Sequence, residues 1–543
     1  MENKNVLIAL LLMLAVWTGY TMFFVKPTTV VPPADEQTLS EKQEVIPTMK
    51  GETIKPTKTA NVPVVVKQVD EKEQDFVVET EDYRAVFTNV GARLKSFELK
   101  KYRETIKKDS PLVALIGNNG DVSTFATTGQ ADISLPVDYV YTTSVPTEGL
   151  VLRDGDERVL RFTAILDNGV VVEKNYTFKG TGYDLNLGIL VYNQSEATLQ
   201  GSLDFLLMQP WFEGRDDSRY SFVGPAVYDN GDLNTYKVKK LEEQPIRHGS
   251  SAVWTAFEDK YFLTAAVPLD SSNHSFVLQK NADSISNIIE SGPLKLEPKQ
   301  SLSLEYLLYA GPRDLDILEG INHSLDKAID FGFFDMLARP LLTVLKFCYN
   351  NVIKNYGVAI ILLTGFIKLL FWPLTHKSYK SMRDMQKLQP EMQRLREKYK
   401  NDKERMNREI MELYRNNRVN PMGGCLPMFA QIPVFFALYK VLLGSIALRH
   451  EPFIFWIQDL SAKDPYYITP IIMGVTMFIQ QKMSPTTMDS QQAKIMLFMP
   501  VIFTFMFLNF PSGLVIYWLV NNVLTITQQW FINRAPGNLT QAA

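Results

Sequence analysis

Hydrophobic residues fall into two contrasting patterns along the chain, with long unbroken runs at both ends and short alternating runs between them. The first long run, Val6–Val25, holds 20 nearly continuous apolar residues, a length that matches the roughly 30 Å hydrocarbon core of a bilayer. A cleaved signal peptide is the competing interpretation, but the run is long and no small-x-small cleavage site follows it. The pattern therefore predicts an uncleaved transmembrane anchor over residues 1–25.

The segment that follows the anchor, residues 26–75, contains few large apolar side chains. Pro, Thr, Glu and Lys dominate it, as in the stretches TTVVPPADEQ and GETIKPTKTA. Because such a composition cannot bury enough apolar surface to fold, it predicts a disordered tether.

From residue 76 to about residue 310, apolar and polar residues alternate with a period of two in short runs rich in β-branched and aromatic side chains. Clusters of Gly, Asn and Asp separate the runs, and this pattern is typical of a large all-β sandwich rather than a barrel. Helical spacing over Asp314–Ile329 predicts a connector that completes a domain of residues 76–334. The predicted strands include Phe76–Thr80, Tyr83–Thr88, Val137–Thr142, Val159–Ile165, Val170–Phe178, Tyr183–Tyr192 and Leu302–Tyr309.

Long apolar runs return in the C-terminal third. The first of them, Asp335–Tyr349, is short and carries two cations and a proline, so it predicts an amphipathic helix lying in the membrane interface over residues 335–350. Five spans follow, one within residues 351–376 and four within 421–534. The last two form a hairpin, because one helix over 495–531 would be roughly 55 Å long. The predicted spans are Tyr356–Thr375, Gly423–Leu443, Tyr466–Gln480, Ile495–Phe510 and Leu514–Phe531.

Charge is unevenly divided along the chain. Residues 26–334 carry a net charge of −14, whereas residues 335–543 carry +11. The loop Lys377–Arg418 holds 13 Lys and Arg against seven Asp and Glu, and the positive-inside rule places it in the cytoplasm. Alternation then predicts a bacterial inner-membrane protein with a cytoplasmic N-terminus, a periplasmic β domain and a short cytoplasmic tail over residues 535–543.

Residues that could carry chemistry are sparse. The five histidines are scattered, and the sequence has no metal-ligand spacing, nucleophile elbow or phosphate-binding glycine loop. Both cysteines, Cys348 and Cys425, lie outside the acidic body, which therefore has no disulfide framework. The sequence thus predicts a protein that is not an enzyme and needs no metal or cofactor.

Lys368 is unusual because it lies inside a predicted span, where a lysine costs about 2.5–3.5 kcal/mol. Two interpretations remain open. The side chain can snorkel to the headgroups near Thr375, or it can face a water-filled groove together with Thr364, one turn earlier. Polar side chains in spans usually bond helix to helix, but together with a lysine they favour the groove. The candidate groove residues are Lys368, Thr364, Gln431, Thr476, Gln480, Asn521 and Gln528, with Gln481, Asn522 and Thr525 nearby.

Apolar and aromatic residues of the third, fifth and sixth spans also have two interpretations. They are ordinary lipid-facing or packing residues, or they form a greasy wall along which a nascent span slides into lipid. The short spans Tyr466–Gln480 and Ile495–Phe510 support the second interpretation, since short spans thin the bilayer locally. The candidate slide residues are Leu426, Pro427, Phe429, Met499, Pro500, Phe505, Tyr517 and Trp518.

The basic loop, residues 377–420, has Met, Leu and Tyr at helical spacing. Pro390 suits the first turn of a helix and Asp402 suits an N-cap, so the pattern predicts a hairpin of two amphipathic helices. Its surface fits ribosomal RNA or emerging hydrophobic segments, although a solvated hairpin that only fixes topology explains it equally well. The candidate contact residues are Lys377, Lys380, Arg383, Arg394, Arg396, Lys398 and Arg405.

Several longer motifs in the C-terminal third resemble those of a known family. They are NPMGGCLP (420–427), QIP (431–433), DLS (459–461), DPYY (464–467), QKMSP (481–485) and FPSGL (510–514). With the anchor, tether, sandwich and hairpin, the whole chain resembles the YidC/Oxa1/Alb3 family of membrane protein insertases in its Gram-negative form.

The resemblance implies a chaperone for protein transport that inserts and folds inner-membrane proteins, alone or with the Sec translocon, and aids some lipoproteins. The implied partners are nascent membrane proteins, the translocon and its accessory subunits, the ribosome and signal recognition particle pathway, and membrane lipids. It also implies a sandwich of the galactose-mutarotase type that touches the accessory subunits.

The chain departs from the family pattern in two places. Lys368 occupies the position of the family's groove arginine, so it keeps the charge but loses the planar fork of donors. The sequence ends soon after Arg534 without a basic tail, so the Lys377–Arg418 hairpin is the expected ribosome contact.

Two other classes of function compete with the insertase. A secondary transporter with Lys368 in its substrate site predicts internal repeats with paired broken helices, and the sequence shows none. A sugar-active enzyme in the β domain rests on fold analogy alone. We therefore expect Lys368 to attract the acidic or hydrophilic N-terminal segment of a client, and the aromatic walls to pass its apolar segment to lipid.

Overall fold

The structure, a computed structural model, describes residues 72–117, 122–143, 149–212, 214–215, 222–417, 419, 426–483 and 490–534. Within these ranges the backbone alone is described at residues 426–428, 490–495 and 533–534. The predicted anchor over residues 1–25, most of the tether and the tail over 535–543 lie outside the described residues.

The described residues of the β domain, within residues 75–312, form three sheets. Its nine-stranded sheet has the order β13-β12-β15-β16-β20-β10-β9-β8-β6, its five-stranded sheet β4-β3-β2-β1-β7, and its six-stranded sheet β14-β17-β18-β11-β19 with β5 paired to β11. The strands are Asp75–Glu79 (β1), Tyr83–Thr88 (β2), Arg93–Arg103 (β3), Leu112–Ile116 (β4), Ala126–Ala131 (β5), Thr142–Thr143 (β6), Leu150–Val151 (β7), Glu157–Ile165 (β8), Val170–Lys179 (β9), Asp184–Asn193 (β10), Leu199–Pro210 (β11), Gly224–Asp229 (β12), Asp232–Thr235 (β13), Ile246–His248 (β14), Ala252–Glu258 (β15), Phe262–Pro268 (β16), Ser275–Lys280 (β17), Ser284–Glu290 (β18), Leu294–Leu296 (β19) and Ser301–Pro312 (β20).

Alternation along the strands explains why these sheets pack face to face. Along β10, for example, Leu185, Leu187, Ile189 and Val191 are buried at every second position, and they join one large core with residues of the other sheets. The predicted all-β sandwich is confirmed.

The predicted strand Val137–Thr142 is wrong. Pro136 precedes it, and the Tyr139 amide donates to the Pro136 carbonyl at 3.2 Å, which closes a turn. Within the predicted strand, Val140 forms an isolated bridge with Val90 and Thr142 pairs with Thr163 of β8, because the turn interrupts a continuous ladder.

A fully buried lysine lies in the core of the β domain. Lys174 has no exposed surface, and its ammonium donates to the carbonyls of Ala92 and Phe125 at 2.8 Å each. Ala92 and Phe125 both have positive φ angles, 46° and 61°. Burial lowers the pKa of Lys174. Its two hydrogen bonds tie the backbone at Ala92 and Phe125 to β9.

The connector after β20 is less regular than predicted. Its helix, α2 (Leu315–Ile321), ends at Asn322, and a 3-10 turn follows at Leu325–Ala328. The single helix predicted over Asp314–Ile329 is wrong because Asn322, His323 and Ser324 all have left-handed φ angles between 52° and 70°, which no continuous α-helix accommodates.

The predicted interfacial helix is α3 (Asp335–Asn351). Its two cations are held by the acidic connector, since Arg339 pairs with Glu319 at 3.2 Å and Lys346 pairs with Asp316 at 2.8 Å. Further carboxylates at Asp314, Asp326 and Asp335 complete the cluster. The cations therefore join α3 to the connector that follows the β domain.

The remaining helices form the helical part, residues 335–534. The predicted second span is two helices bent by 63° at Phe371, with Pro373 in the first turn of the second helix. The β domain contributes one further short helix, α1 (Val238–Glu243). The helices after α3 are Tyr356–Leu370 (α4), Trp372–Lys387 (α5), Gln389–Lys398 (α6), Lys403–Asn416 (α7), Leu426–Gly444 (α8), Ile468–Met483 (α9), Ser490–Phe507 (α10) and Ser512–Arg534 (α11).

By length and hydropathy, none of the helices in the described ranges could cross a bilayer alone, although α4 and α5 could together; Phe429–Gly444 and Met496–Phe507 are shorter apolar stretches.

The chain turns sharply between α10 and α11, as the Pro511-Ser512-Gly513 break predicts. The amides of Ser512 and Gly513 donate to the carbonyls of Ala462 and Leu460 at 2.7 and 2.9 Å. These bonds fix the start of α11 against the loop that precedes α9. Both helices of the predicted hairpin therefore begin and end close to their expected positions.

The basic loop forms the two amphipathic helices that were predicted, α6 and α7. Pro390 lies in the first turn of α6, and the Asp402 carboxylate accepts a hydrogen bond from the Arg405 amide at 3.0 Å. Met385, Leu388, Met392 and Tyr414 are buried together between the helices. The hairpin thus has a small apolar core of its own.

We expect Asp402→Ala to destabilise the first turn of α7 by about 1 kcal/mol, because the turn loses its N-cap acceptor. Amide hydrogen exchange in residues 403–406 of the full-length protein should then accelerate about fivefold. Asn401→Ala, one residue earlier and exposed, is the matched control, and equal exchange in the two variants would contradict the capping role.

Candidate functional site

Lys368 lies half-buried on α4, within the bundle of α4, α5, α8, α9 and α11. Its ammonium donates to the Thr525 hydroxyl of α11 at 2.7 Å. The Thr525 hydroxyl in turn donates to the Asn521 carbonyl at 2.7 Å, so it can meet the lysine only as an acceptor. The cation is therefore anchored by one neutral oxygen.

No carboxylate in the described part of the chain lies within ion-pair distance of Lys368. A half-buried ammonium without a counterion is stabilised by a nearby negative charge or by further hydrogen-bond acceptors. Two of its three N–H donors are left for water or for a bound group.

Polar side chains of α11 continue this contact along the helix. Asn521, Thr525 and Gln528 lie at i, i+4 and i+7 on one face, with Asn522 beside them. Thr525, Asn522 and Gln528 are only 3–4% exposed. We call these four residues and their partners the polar ladder.

Each further hydrogen bond of the polar ladder links α11 to a different helix. Gln431 of α8 donates to the Asn521 side-chain oxygen at 2.7 Å, and Asn522 donates to the Thr476 hydroxyl of α9 at 3.3 Å. Gln528 donates to the Thr375 hydroxyl of α5 at 2.7 Å. The ladder thus brings together five of the predicted groove residues, namely Lys368, Gln431, Thr476, Asn521 and Gln528.

Two predicted groove residues stand apart from these contacts. The Thr364 hydroxyl donates to the Ile360 carbonyl of its own helix at 2.6 Å, and the side chain is 1% exposed. Gln480 is half-buried near the C-terminal end of α9. Thr364 therefore satisfies its hydroxyl within α4 and does not contact the lysine.

Thr375 belongs to the polar ladder, although the sequence indicates it only as the end of a predicted span. Its hydroxyl accepts from Gln528 and donates to the Phe371 carbonyl at 3.0 Å. It lies seven residues after Lys368, but the 63° bend at Phe371 places the two residues on different helices, so helical spacing could not reveal this contact.

The candidate slide residues divide into two groups. Phe429, Met499 and Phe505 are 59%, 37% and 67% exposed, as expected for side chains that meet lipid. Tyr517 and Pro500 are buried and Trp518 is half-buried, so these three pack inside the bundle. The side chains of Leu426 and Pro427 lie outside the described residues.

Most candidate contact residues of the hairpin are exposed. Lys377, Lys380, Arg394, Lys398 and Arg405 face solvent, and Lys398 and Arg405 flank the ring of Tyr399 at 5.2 and 5.3 Å. Arg396 is half-buried, and so is Arg383, which donates to the Ile532 carbonyl of α11 at 3.4 Å. Five of the seven cations therefore form an accessible basic surface.

A metal site is not found among the residues that the structure describes, since no three His, Cys, Asp or Glu side chains come close enough together to hold an ion.

Comparison with known families covers nearly the whole chain. Residues 347–538 match the family described as 60Kd inner membrane protein, and residues 75–344 match the family described as YidC periplasmic domain. The chain is 45% identical over 534 residues to the membrane protein insertase YidC of Geotalea uraniireducens, which covers 98% of this chain and 99% of the relative. The YidC of Geobacter metallireducens is 45% identical over 536 residues, which is 98% of each chain.

Solved structures give more distant similarities. A crystal structure of active YidC insertase with its first transmembrane domain resolved matches with a TM-score of 0.36 at 19% identity, over 84% of this chain and 92% of the other. A galactose mutarotase-like protein from Lactobacillus casei matches with a TM-score of 0.33 at 12% identity, over 44% of this chain and 99% of the other.

The two family matches follow one another along the chain and correspond to the β domain and the helical part. The curated relatives match this chain over its length at more than 40% identity. Their family comprises inner-membrane proteins that act as insertases and not as enzymes. The chain belongs to the YidC family of membrane protein insertases.

Proposed function

We propose that the chain inserts and folds integral membrane proteins through a groove centred on Lys368 and the polar ladder. The observation that carries the proposal is the half-buried ammonium of Lys368, which has one neutral partner at 2.7 Å and no described counterion. An ion with unused donors beside an apolar bundle is a binding group for transient negative charge.

The first step is capture of the hydrophilic N-terminal segment of a client. Its carboxylates or backbone carbonyls accept hydrogen bonds from Lys368, and its other polar groups exchange with the amides and hydroxyls of the ladder. Amide and hydroxyl groups can both donate and accept, so the ladder can replace water for many sequences. That exchange lowers the cost of leaving water, which amounts to several kcal/mol for an unpaired polar group.

The second step is release of the client's apolar segment into lipid. Phe429, Met499 and Phe505 provide an exposed apolar surface on α8 and α10, and Leu426 and Pro427 precede Phe429 in the sequence of α8. Burial of apolar area supplies roughly 25 cal/mol per Å². The membrane potential adds about 2.3 kcal/mol per charge for each 100 mV.

The proposed topology places the β domain in the periplasm and both the N-terminus and the basic hairpin in the cytoplasm. The exposed cations Lys377, Lys380, Arg394, Lys398 and Arg405 support a contact with ribosomal RNA or with the signal recognition particle pathway. We further propose cooperation with the Sec translocon and its accessory subunits, and assistance to some lipoproteins, which rest on family resemblance.

Reconstitution tests the proposal directly. Purified protein in liposomes should insert a small single-span client, measured by protease protection, well above the level in empty liposomes. Insertion no higher than in empty liposomes would contradict the proposal, provided that the reconstituted protein retains its helical circular dichroism spectrum.

A further inference from the structure

A cavity of about 550 Å³ lies between the β domain and the loop that joins α8 to α9. Its walls come from strand ends of the β domain on one side and from Arg449, His450, Asp459 and Ser461 on the other. The cavity shares no lining residue with the polar ladder. Its volume is typical of a site for a small ligand.

Three cations line the cavity, namely Arg215, Lys260 and Arg449. The Arg215 guanidinium lies 4.7 Å from the centre of the Phe257 ring, and the Lys260 ammonium lies 4.5 Å from that of Tyr261. Burial lowers the pKa of Arg215 and of Arg449, and no ion pair among the described residues includes any of the three. The cavity wall therefore presents three positive charges that lack a paired carboxylate.

Three carboxylates line the same cavity, namely Glu104, Asp259 and Asp459, and the two aspartates retain free acceptor capacity. Asp259 accepts the Lys260 amide at 2.6 Å through Oδ1, and Asp459 accepts the Ser461 amide and hydroxyl at 2.8 and 2.7 Å, also through Oδ1. No hydrogen bond within the described ranges uses Oδ2 of either residue. Both negative charges are thus free to meet a donor.

Two neutral groups in the wall are buried without a partner. The Gln209 side chain is 2% exposed; its amide nitrogen donates to the Thr264 hydroxyl at 3.2 Å, but its Oε1 meets no donor among the described residues. The Tyr261 hydroxyl is likewise buried and unpartnered there. A buried polar atom left unsatisfied costs about 1–3 kcal/mol, so both atoms point to a polar ligand.

The charges of the wall indicate what kind of ligand fits. A simple anion would meet Asp259 and Asp459 as well as the cations, and a simple cation would meet the two guanidinium groups and Lys260. A zwitterion avoids both conflicts. A phosphate would lie against the cations, and a primary ammonium, which has three donors, would reach Asp259, Asp459 and Gln209 Oε1.

The surroundings of the cavity point to the membrane surface. The loop that supplies Arg449 and Asp459 also exposes Ile454 and Phe455, by 49% and 76%. Helix α3 exposes Met336 and Phe347 by 89% and 59%. In an inner-membrane protein, exposed apolar side chains of this kind suit the headgroup layer, which makes a phospholipid headgroup a candidate ligand for the cavity.

We propose that this cavity binds a zwitterionic phosphoethanolamine group, presented by a phospholipid headgroup or by the free soluble compound. The proposal is independent of client insertion. It assigns the phosphate to Arg215, Lys260 and Arg449, and the ammonium to Asp259, Asp459 and Gln209.

Calorimetric titration of the full-length protein in detergent micelles tests the assignment with four probes. Dihexanoyl phosphatidylethanolamine should bind about tenfold or more tightly than dihexanoyl phosphatidylcholine, because a quaternary ammonium has no N–H to donate. Dihexanoyl phosphatidylglycerol, which has no cation, should also bind more weakly. Free O-phosphoethanolamine separates the sources: binding equal to that of the lipid assigns the site to the soluble group, and much weaker binding assigns it to the lipid.

Two substitutions place the binding at this cavity. Lys260→Met and Gln209→Leu should each weaken phosphatidylethanolamine binding by about tenfold, whereas Lys239→Met, which removes an exposed lysine of α1 outside the cavity wall, should leave it unchanged. Lys260 is only half-buried, so its variant keeps the test valid if Gln209→Leu does not fold. Equal affinity for the ethanolamine and choline lipids, no binding of any probe, or unchanged binding by Lys260→Met would overturn the proposal.

Discussion

Lys368→Ala should lower the insertion of a single-span client with an acidic N-terminal tail by about ten- to a hundredfold, which corresponds to the loss of one charged hydrogen bond of about 1.5–3 kcal/mol. Lys368→Arg should retain most of the insertion, because it keeps the positive charge at the same height of α4. The measurement is the initial rate of protease-protected client in liposomes of fixed composition.

The matched control for this prediction is Lys440→Ala. Lys440 also lies on an apolar helix, α8, but it is exposed, so it represents a lysine that snorkels. Insertion should be unchanged in that variant. If Lys368→Ala inserts acidic and neutral clients as well as the wild type does, Lys368 is a snorkelling lysine like Lys440. The proposal that it acts as the cation of a client-binding groove is then wrong.

Asp464→Ala should destabilise the protein by about 3–5 kcal/mol, because one buried carboxylate holds the start of α9. Asp464 is 1% exposed. Its oxygens accept from the Thr469 amide and hydroxyl at 2.8 and 2.7 Å, from the Tyr466 amide at 3.0 Å and from the Trp456 indole at 3.1 Å. Alanine would leave all four donors without an acceptor.

Thermal unfolding in detergent, followed by tryptophan fluorescence, measures this loss. Asp384→Ala is the control, since Asp384 is a partly exposed carboxylate that pairs with Lys387 at 3.0 Å, and such a pair contributes at most about 1 kcal/mol. A shift of the melting temperature no larger than that of the control would show that the Asp464 bonds contribute little.

The same carboxylate predicts a pH dependence of stability. Burial alone would raise the pKa of Asp464, but the hydrogen bonds from Thr469, Tyr466 and Trp456 outweigh burial and hold it below its ordinary value of 3.8. A depressed folded-state pKa stabilises the protein above the unfolded pKa, and this contribution is lost as pH falls through the folded pKa. The wild type should therefore lose more stability than Asp464→Asn when the pH drops below about 4.

Features that depend on neighbouring residues could be predicted from the sequence. The alternation of Asp184–Asn193 gives β10 its buried and exposed sides, and Asp402 caps α7 as its position before Lys403 suggests. Local signals also located the break at Pro511. In each case, the residues that decide the structure lie within one or two turns or strand pairs of one another.

Features that depend on distant partners could not be predicted. Lys368 and Thr525 are 157 residues apart, and Gln431 and Asn521 are 90 apart, so the sequence showed polar residues without their pairing. The cations of α3 looked free because the carboxylates that hold Lys346 lie about 30 residues upstream. The cavity at Arg449 needs four separated segments to meet, residues 104–115, 209–215, 257–264 and 449–461, and no short motif marks it.

The ion cluster between α3 and the connector has a mechanical consequence. Arg339 and Lys346 are two turns apart on α3. They form ion pairs with Glu319 and Asp314, which lie near the two ends of α2. A force on the β domain, for example from a translocating client, would therefore be transmitted to the helical bundle through these ion pairs as well as through the covalent chain. High salt should weaken the ion pairs, so ionic strength should adjust the stiffness of the connection between the β domain and the helical part.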